Sequence, residues 1–468
     1  METRLSWLAV KATAEYERKL EAPAGFQLPP LGGSPLESRV FTSVYYDVPG
    51  GSLAAAGITL RRRTERGASV WQLKLPSDDS RLELEAPGPP SGPPEEMLRL
   101  LRAHLRHGKL EKVAELRTRR RGELVARRGS TAEVTVDEVA IMDARRVRDE
   151  FVEVEIELRE GSPKRLDGIA DELAEAGATP GAGIPKVFRA LGLDGAAPEP
   201  ESPFEGLRAL LRAQLREILA HDPGTRLGRD PESLHDMRVA VRRTRALLRA
   251  GGELIATDTT ALAERLKALG QVLGDVRDLD VLIDHLSAEA AKLGEPDAVH
   301  AKALLRALAR ERTRRRATLM KTLDSDVYLA LLDEFARTVD TLAPAETDAT
   351  LDDLAAKALK KLRKAVDALP DDPHDDELHH VRKIGKRARY ASELAGHDSV
   401  VAAAKKLQDV LGDHQDSVVA EERLRTLAAK GTPEQAVAAG RLVERERGRK
   451  ARARADWAGA WKRVRKAA

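Results

Sequence analysis

The sequence predicts a two-domain α+β chain, a mostly antiparallel β domain followed by an all-α domain, and three observations predict it. As far as about Leu191 the residues run in short stretches of period-two alternation broken by Pro and Gly, the mark of strands and turns. From Phe204 onward Ala, Leu, Arg, Glu and Lys recur at helical spacing in long segments. Between them lies GLDGAAPEPESP, aperiodic and rich in Gly, Pro and acid, which marks a linker. The expected divisions are a first domain over 1–192, a linker over 193–203 and a helical domain over 204–468.

Strands are expected at Ala14 to Leu20, Val40 to Asp47, Ile58 to Arg63, Val70 to Leu75 and Arg81 to Glu85. Others follow at Glu115 to Arg121, Gly122 to Ala126, Ala132 to Ile141 and Val147 to Leu158. Glu95 to His107 and Lys164 to Ala176 carry apolar residues three to four apart and read as helices.

Composition narrows the classes of function. The chain has 468 residues, 42% hydrophobic and 33% charged, and no stretch approaches the length of a membrane span. With no cysteine, disulfides, thiolate catalysis and zinc-cysteine sites are excluded, so any metal must sit on oxygen or imidazole. A cytoplasmic protein is expected. The 79 Lys and Arg nearly balance 76 Asp and Glu, so local clusters rather than the +3 total must identify partners.

Those clusters lie in the strands. Glu15, Glu17 and Lys19 alternate in EYERK, Arg61 and Arg63 in LRRR, and Glu83 and Glu85 in RLELE; Arg117 and Arg119 alternate in LRTRR, and Glu153, Glu155 and Glu157 in VEVEIE. Side chains at i and i+2 share a face and stand about 6.5 to 7 Å apart. Any one row could be the solvent face of a half-exposed strand. Acidic and basic rows are segregated by strand, however, and a closed sheet with such rows inside would hold a polar cavity. Glutamate rows suit Mg²⁺ or Mn²⁺, and Arg and Lys rows suit phosphate oxygens.

These motifs resemble the CYTH family of triphosphate tunnel metalloenzymes. The resemblance is carried by the ExExK of Glu15, Glu17 and Lys19, by YYDVPGGSLAAAGITLRRR with Arg61 and Arg63, and by Lys74 in QLKLP. It continues through Arg81, Glu83 and Glu85, Arg117 and Arg119, Asp137 in TVDEV, the row from Glu153 to Glu157, and Lys186 in IPKVFRAL. It implies an eight-stranded antiparallel tunnel that takes a triphosphate-bearing substrate with Mg²⁺ or Mn²⁺. Members include inorganic triphosphatases, thiamine triphosphatases and class IV adenylate cyclases. Carried over, Lys19, Arg61, Arg63, Lys74, Arg117, Arg119 and Lys186 bind phosphate. Glu15, Glu17, Glu153 and Glu155, with Glu157 and Asp137, serve catalysis and metal binding, and Arg81, Glu83 and Glu85 are further tunnel residues.

The helical half is duplicated. LHDMRVAVRRTR from Leu234 returns as LHHVRKIGKRAR from Leu378, and VLGDVRDLD from Val272 as VLGDHQDSV from Val410. Two pseudo-symmetric helical bundles, about 204–343 and 344–468, are therefore expected. His235, Arg238, Arg242, Arg245 and Arg249 step by three and four along one helix face, and His379, Arg382, Lys386 and Arg389 repeat the stripe. Lys360, Lys361, Arg363 and Lys364 add basic surface, and no i, i+4 His pair suggests a metal. Asp275/Asp278 and Asp413/Asp416 are expected to cap a helix or to pair with arginine. Trp457 and Trp461 read as a pair docking the last helix on the bundle.

This half resembles the CHAD family, often fused to CYTH. The resemblance implies binding of inorganic polyphosphate in a basic pore by His235, Arg238, Arg242, Arg245, His379, Arg382, Lys386 and Arg389. The expected function is a metal-dependent hydrolase of inorganic triphosphate carrying a polyphosphate-binding domain, with granule association following from long-chain polyphosphate. The alternative is a polyphosphate-binding adaptor with an idle or sensing tunnel. Behind these stand a nucleic-acid binder, a thiamine triphosphatase and a class IV adenylate cyclase.

Overall fold

The computed structural model describes residues 11–77, 80–106, 108–127, 129–181, 186–191 and 202–468. They fall into two compact units, one running to Leu191 with Leu219–Leu227, the other comprising Ser202–Ile218 and Gly228–Ala468. Most of the expected linker lies outside the described residues.

The first unit holds one antiparallel sheet. Its strands are β1 (Lys11–Glu15), β2 (Glu17–Ala22), β3 (Ser34–Pro35), β4 (Arg39–Asp47), β5 (Thr59–Glu65), β6 (Ala68–Ser77) and β7 (Ser80–Ala86), then β8 (Glu111–Arg127), β9 (Ser130–Asp143), β10 (Arg146–Glu160) and β11 (Thr179–Pro180). The order of pairing is β1-β7-β6-β5-β4-β8-β9-β10-β2-β11, with β3 beside β8. Strands β1 and β2 are interrupted only at Tyr16, so one bent segment pairs first with β7 and then with β10. That segment closes the sheet into a ring. Setting aside the two-residue strands β3 and β11, and joining β1 to β2, leaves the eight strands expected.

Charged rows can face inward because the apolar rows are covered from outside. On β10, Val152, Val154 and Ile156 turn outward and join Val134 and Val136 of β9 in a buried cluster under α4 (Leu166–Glu175), which contributes Leu166, Ile169 and Leu173. On the opposite wall Leu60, Trp71, Leu73 and Leu84 pack beneath the short helices α1 (Ser52–Ala55), α2 (Glu95–Leu100) and α3 (Arg102–Leu105). A fifth helix, α5 (Lys186–Ala190), adds Val187 and Phe188 to a cluster with Tyr45, Leu116, Val139 and Phe151.

The two strands expected at Glu115 to Arg121 and Gly122 to Ala126 are one strand of 17 residues. Glycine at 122 does not break it but permits a close approach, since a Cβ there would stand 2.2 Å from the Val134 carbonyl oxygen. Gly122→Ala should therefore cost about 1–3 kcal/mol of stability, as overpacking does, when unfolding in urea is compared with wild type.

The second unit is helical: α6 (Pro203–Leu227) as far as Ile218, α7 (Pro231–Ala250), α8 (Thr260–Ala291), α9 (Asp297–Leu323), α10 (Asp326–Asp340), α11 (Leu351–Asp367), α12 (Asp375–Leu394), α13 (Asp398–Ala428) and α14 (Pro433–Ala467). The repeat appears as α7 matched by α12 and α8 by α13. Side-chain caps fix several starts: Asp230 accepts from the Glu232 amide, Thr350 with Asp353 forms a capping box at α11, and Thr432 with Gln435 forms one at α14. Helices α8, α9, α13 and α14 share one apolar core. A second lies between α11, α12, α13 and α14, where Trp461 is buried and Trp457 packs beside it, the docking expected of the last helix. No helix among the described residues is long and apolar enough to cross a membrane.

Candidate functional sites: a charged ring and a cationic groove

The ring encloses a cavity of about 220 Å³ lined by inward side chains from every strand except β3 and β11. Strand β10 supplies Glu155, Glu157 and Arg159; β1 and β2 supply Glu15, Glu17 and Lys19; β5 supplies Arg61 and Arg63; β6 supplies Lys74; β7 supplies Arg81, Glu83 and Glu85. Asp137 from β9 and Lys186 from α5 complete the expected set. Glu153 stands next to this lining, in contact with Lys186 and Lys19.

At the deepest point the Lys186 ammonium lies 2.6 Å from Glu155, 2.8 Å from Asp137 and 2.8 Å from Glu153. The Lys19 ammonium is 3.1 Å from Glu155 and 3.5 Å from Glu17. Burial alone would discharge these groups, yet the cations overcome it: Lys186, Lys19 and Arg120 hold the Glu155 carboxyl well below the usual carboxylate range. Asp137 is also lowered, by Lys186 and Arg120 against burial. Reciprocally, Lys186 and Lys19 are raised against burial by the carboxylates around them. A second centre forms where the Lys74 ammonium donates to both oxygens of Glu15, at 2.8 and 2.6 Å. There burial, with the neighbouring Glu15, pushes Glu83 up to about 7. Burial also pushes Glu157 up to about 7, Glu15 adding to it and Arg159 opposing it.

Two expected tunnel residues are placed elsewhere. Arg117 and Arg119 lie on the outer face of β8, around a surface depression shared with Val147 and Phe151. The opposite parity of the same strand points inward, so Thr118 and Arg120 line the cavity. Arg120 donates to Asp137 from two nitrogens, at 2.7 and 2.6 Å. The run TRRR carries arginine in both parities, so alternation could not choose between them. The hairpin could have: pairing counts back evenly from Arg127↔Ser130 to Arg120↔Asp137, which puts Arg120 beside an acid already expected inside. Arg39 and Arg159 were also missed; both bond to the buried Glu133, Arg39 at 3.3 Å and Arg159 at 3.1 Å.

The carboxylates offer the all-oxygen donor set that Mg²⁺ or Mn²⁺ prefers. One Glu83 oxygen is buried without a hydrogen-bond partner, and burial, only partly offset by nearby cations, raises Glu83 and Glu157 to about 7. A divalent cation fits that deficit. Among the described residues, no three acidic or histidine groups are gathered into a formed metal centre.

In the helical unit the two stripes of α7 and α12 meet. Arg242 donates to the Tyr390 hydroxyl at 3.3 Å, and Arg243 pairs with Glu393 at 2.6 Å. Arg238 rests on α8 where Gly274 leaves room, 3.4 Å from where a Cβ would stand, and bonds Asp278 at 2.8 Å. Its repeat Arg382 rests on Gly412 in the same way, at 3.8 Å. The glycine of each LGD motif is thus the seat of an arginine. Asp275 pairs with Arg315 and Asp413 with Arg449, all within helices, so of the two expected roles for these acids pairing holds and capping does not.

A groove of about 870 Å³ opens between α7, α11 and α12, lined by nine Lys or Arg side chains and one acid, Glu253. The imbalance gives it a net positive field. Of the eight residues expected to bind polyphosphate its lining holds Arg242, Arg245 and Lys386 and not His235, Arg238, His379, Arg382 or Arg389; Arg249, Lys361 and Lys364, expected only as basic surface, line it too, and Lys357 is new. Burial, and the surrounding Arg382, Arg242, Arg238 and Arg389, push Lys386 down to about 7. His235 is lowered by burial and Arg277, and His379 by burial, Lys383 and Arg382, so neither adds charge at neutral pH. Arg389 stacks on the Tyr390 ring at 4.5 Å. His414 is structural: it is buried and bonds Asp375 at 3.0 Å.

Comparison with known proteins adds the following. A CYTH-domain family model matches residues 13–183 and a CHAD-domain model residues 209–425. Uncharacterized proteins of Mycobacterium tuberculosis, from strains H37Rv and CDC 1551, are each 32% identical over 476 residues, covering 92% of this chain and 92% of their own length. Among solved structures, PptA from Streptomyces chartreusis is 26% identical with TM-score 0.49, covering 55% of this chain and 99% of its own. A CHAD domain from the plant Ricinus communis is 25% identical with TM-score 0.47, covering 58% and 97%. A putative adenylyl cyclase from Hippeastrum, described as having a dominant triphosphatase activity, is 15% identical with TM-score 0.26, covering 38% and 96%.

Proposed function

This chain belongs to the family in which a CYTH domain is followed by a CHAD domain, and from that membership we propose a divalent-metal-dependent hydrolase of inorganic triphosphate whose helical unit binds long-chain polyphosphate. One observation carries the proposal. The ring cavity brings cationic and carboxylate rows face to face in about 220 Å³, space for a short phosphate chain. The two aromatic side chains of its described lining, Tyr45 and Phe41, both lie beside arginines.

The residues divide the work. Lys19, Arg61, Arg63, Lys74, Arg120 and Lys186 grip and orient phosphate oxygens through charge-assisted bonds. Glu15, Glu17, Glu153 and Glu155, with Glu83 and Glu157, would hold Mg²⁺ or Mn²⁺, which supplies neutralising charge to the phosphoryl oxygens. Burial raises Glu83 and Glu157 to about 7, so with no cation bound each exchanges a proton near neutral pH, and binding a cation would displace that proton. Apolar clusters on the outside keep the walls rigid, so the grip is set before substrate arrives.

Phosphate release from inorganic triphosphate with Mg²⁺ or Mn²⁺ tests the proposal. Glu15→Gln and Glu153→Gln should each lower it about a hundredfold, the scale of losing a charge-stabilising group. Equal release by wild type and both variants rejects hydrolysis at this site. Retained polyphosphate binding without turnover would instead identify an adaptor.

A further inference from the structure

Strand β4 presents Arg39, Phe41, Ser43 and Tyr45 to the cavity. Phe41 is the anomaly in this row: it is 4% exposed, sits among charges, and has nothing to offer a phosphate oxygen. The register explains its surroundings. It lies opposite Thr118 on β8 and Glu65 on β5, so Arg120 and Arg63, each two residues along on the same face, flank it. The Arg63 guanidinium carbon is 3.8 Å from the ring centre and that of Arg120 is 5.6 Å. Both fall within the reach of about 6 Å over which a ring's quadrupole attracts a cation.

The two guanidiniums repel one another. Arg120 is anchored by Asp137 and Glu155, whereas Arg63 has Glu65 at 2.7 Å and is pushed down by burial and by the charges of Arg61 and Arg120. An aliphatic side chain at 41 would fill the same space without attracting either cation. An aromatic one adds the attraction of its ring face to that of the carboxylates.

We infer that Phe41 is a positioning residue, whose ring holds the Arg63 and Arg120 guanidiniums at the spacing that lets both grip one phosphate chain. The inference rests on the triphosphate reading of the cavity for its consequence, but not for its geometry. Phe41 touches no reacting atom and acts only through the two arginines. Its removal should weaken binding more than turnover.

The test compares full-length wild type with Phe41→Leu and Phe41→Tyr. For inorganic triphosphate, leucine should raise KM about tenfold with kcat changed less than about threefold, while tyrosine, which keeps the quadrupole, stays within about threefold of wild type. Phenylglyoxal labelling of Arg63, read by peptide mass spectrometry without substrate, should quicken at least about threefold in the leucine variant and not in the tyrosine variant. If wild type releases no phosphate, the functional reading fails while the labelling still decides this inference. Equal Arg63 labelling in wild type and the leucine variant overturns it. Should leucine cost the fold its near-ultraviolet signature, Phe41→Met, unbranched and adaptable, takes its place under the same criteria.

Discussion

Lys186→Met is expected to lower folding stability by about 3–5 kcal/mol and to abolish triphosphate hydrolysis, because it strips the shared cation from three buried carboxylates. Glu155, Asp137 and Glu153 all contact that ammonium within 2.8 Å. In the wild type Glu155 and Asp137 are held below their ordinary values, so their contribution is present at neutral pH and lost as the pH falls. Without Lys186 that depression shrinks, leaving Arg120 beside both carboxyls and Lys19 beside Glu155. The gap to wild type should therefore be constant above about pH 5 and narrow as the pH falls below the ordinary carboxylate range of about 4 in urea denaturation. A cost under about 1 kcal/mol, or a gap that does not depend on pH, would show that the carboxylates do not depend on this lysine.

The second large effect concerns the helical unit. Arg382→Glu combined with Lys386→Glu should weaken binding of long-chain polyphosphate about a thousandfold at moderate salt, because it reverses two charges where α7 and α12 converge. The slope of log affinity against log salt should flatten by roughly the number of phosphate contacts removed. In wild type the affinity should fall as the pH rises from about 6 to 8, since Lys386 titrates at about 7 when free and a polyanion draws it back to the charged form. Binding therefore takes up a proton. Lys386→Arg, which stays charged, should flatten that dependence. Isothermal titration in two buffers of different ionisation enthalpy measures the proton directly, and unchanged affinity in the double variant would rule out this crossing as the site.

How much of this was legible in the sequence depended on whether the answer was local. Rows with a single parity of charge, such as RLELE and VEVEIE, converge on one cavity as alternation alone suggests. Where arginine fills both parities, as at Arg117 to Arg121, only the partner strand chooses, and local reading selected the outer face. Arg39 and Phe41 sit in a strand that looks like ordinary alternating core, and their importance comes from neighbours on β5 and β8. In the helical half the repeat disclosed α7 and α12 because spacing of three and four is local. Lys357 joined the groove only through the packing of α11 beside them. The two LGD motifs left capping and arginine pairing open for their acids, and nothing nearby announces that an arginine from another helix lies on their glycines.

The bent segment formed by β1 and β2 has a consequence for synthesis of the chain. It seals the ring by pairing with β10, so Lys19 meets Glu155, and Lys186 enters from still further along. A ribosome making this protein has released the first acidic row long before its partners exist. Domains generally fold as units as they emerge, and no shorter intermediate can enclose the pocket. The pocket is therefore enclosed only after β10 and α5, nearly the whole first unit, have left the exit tunnel.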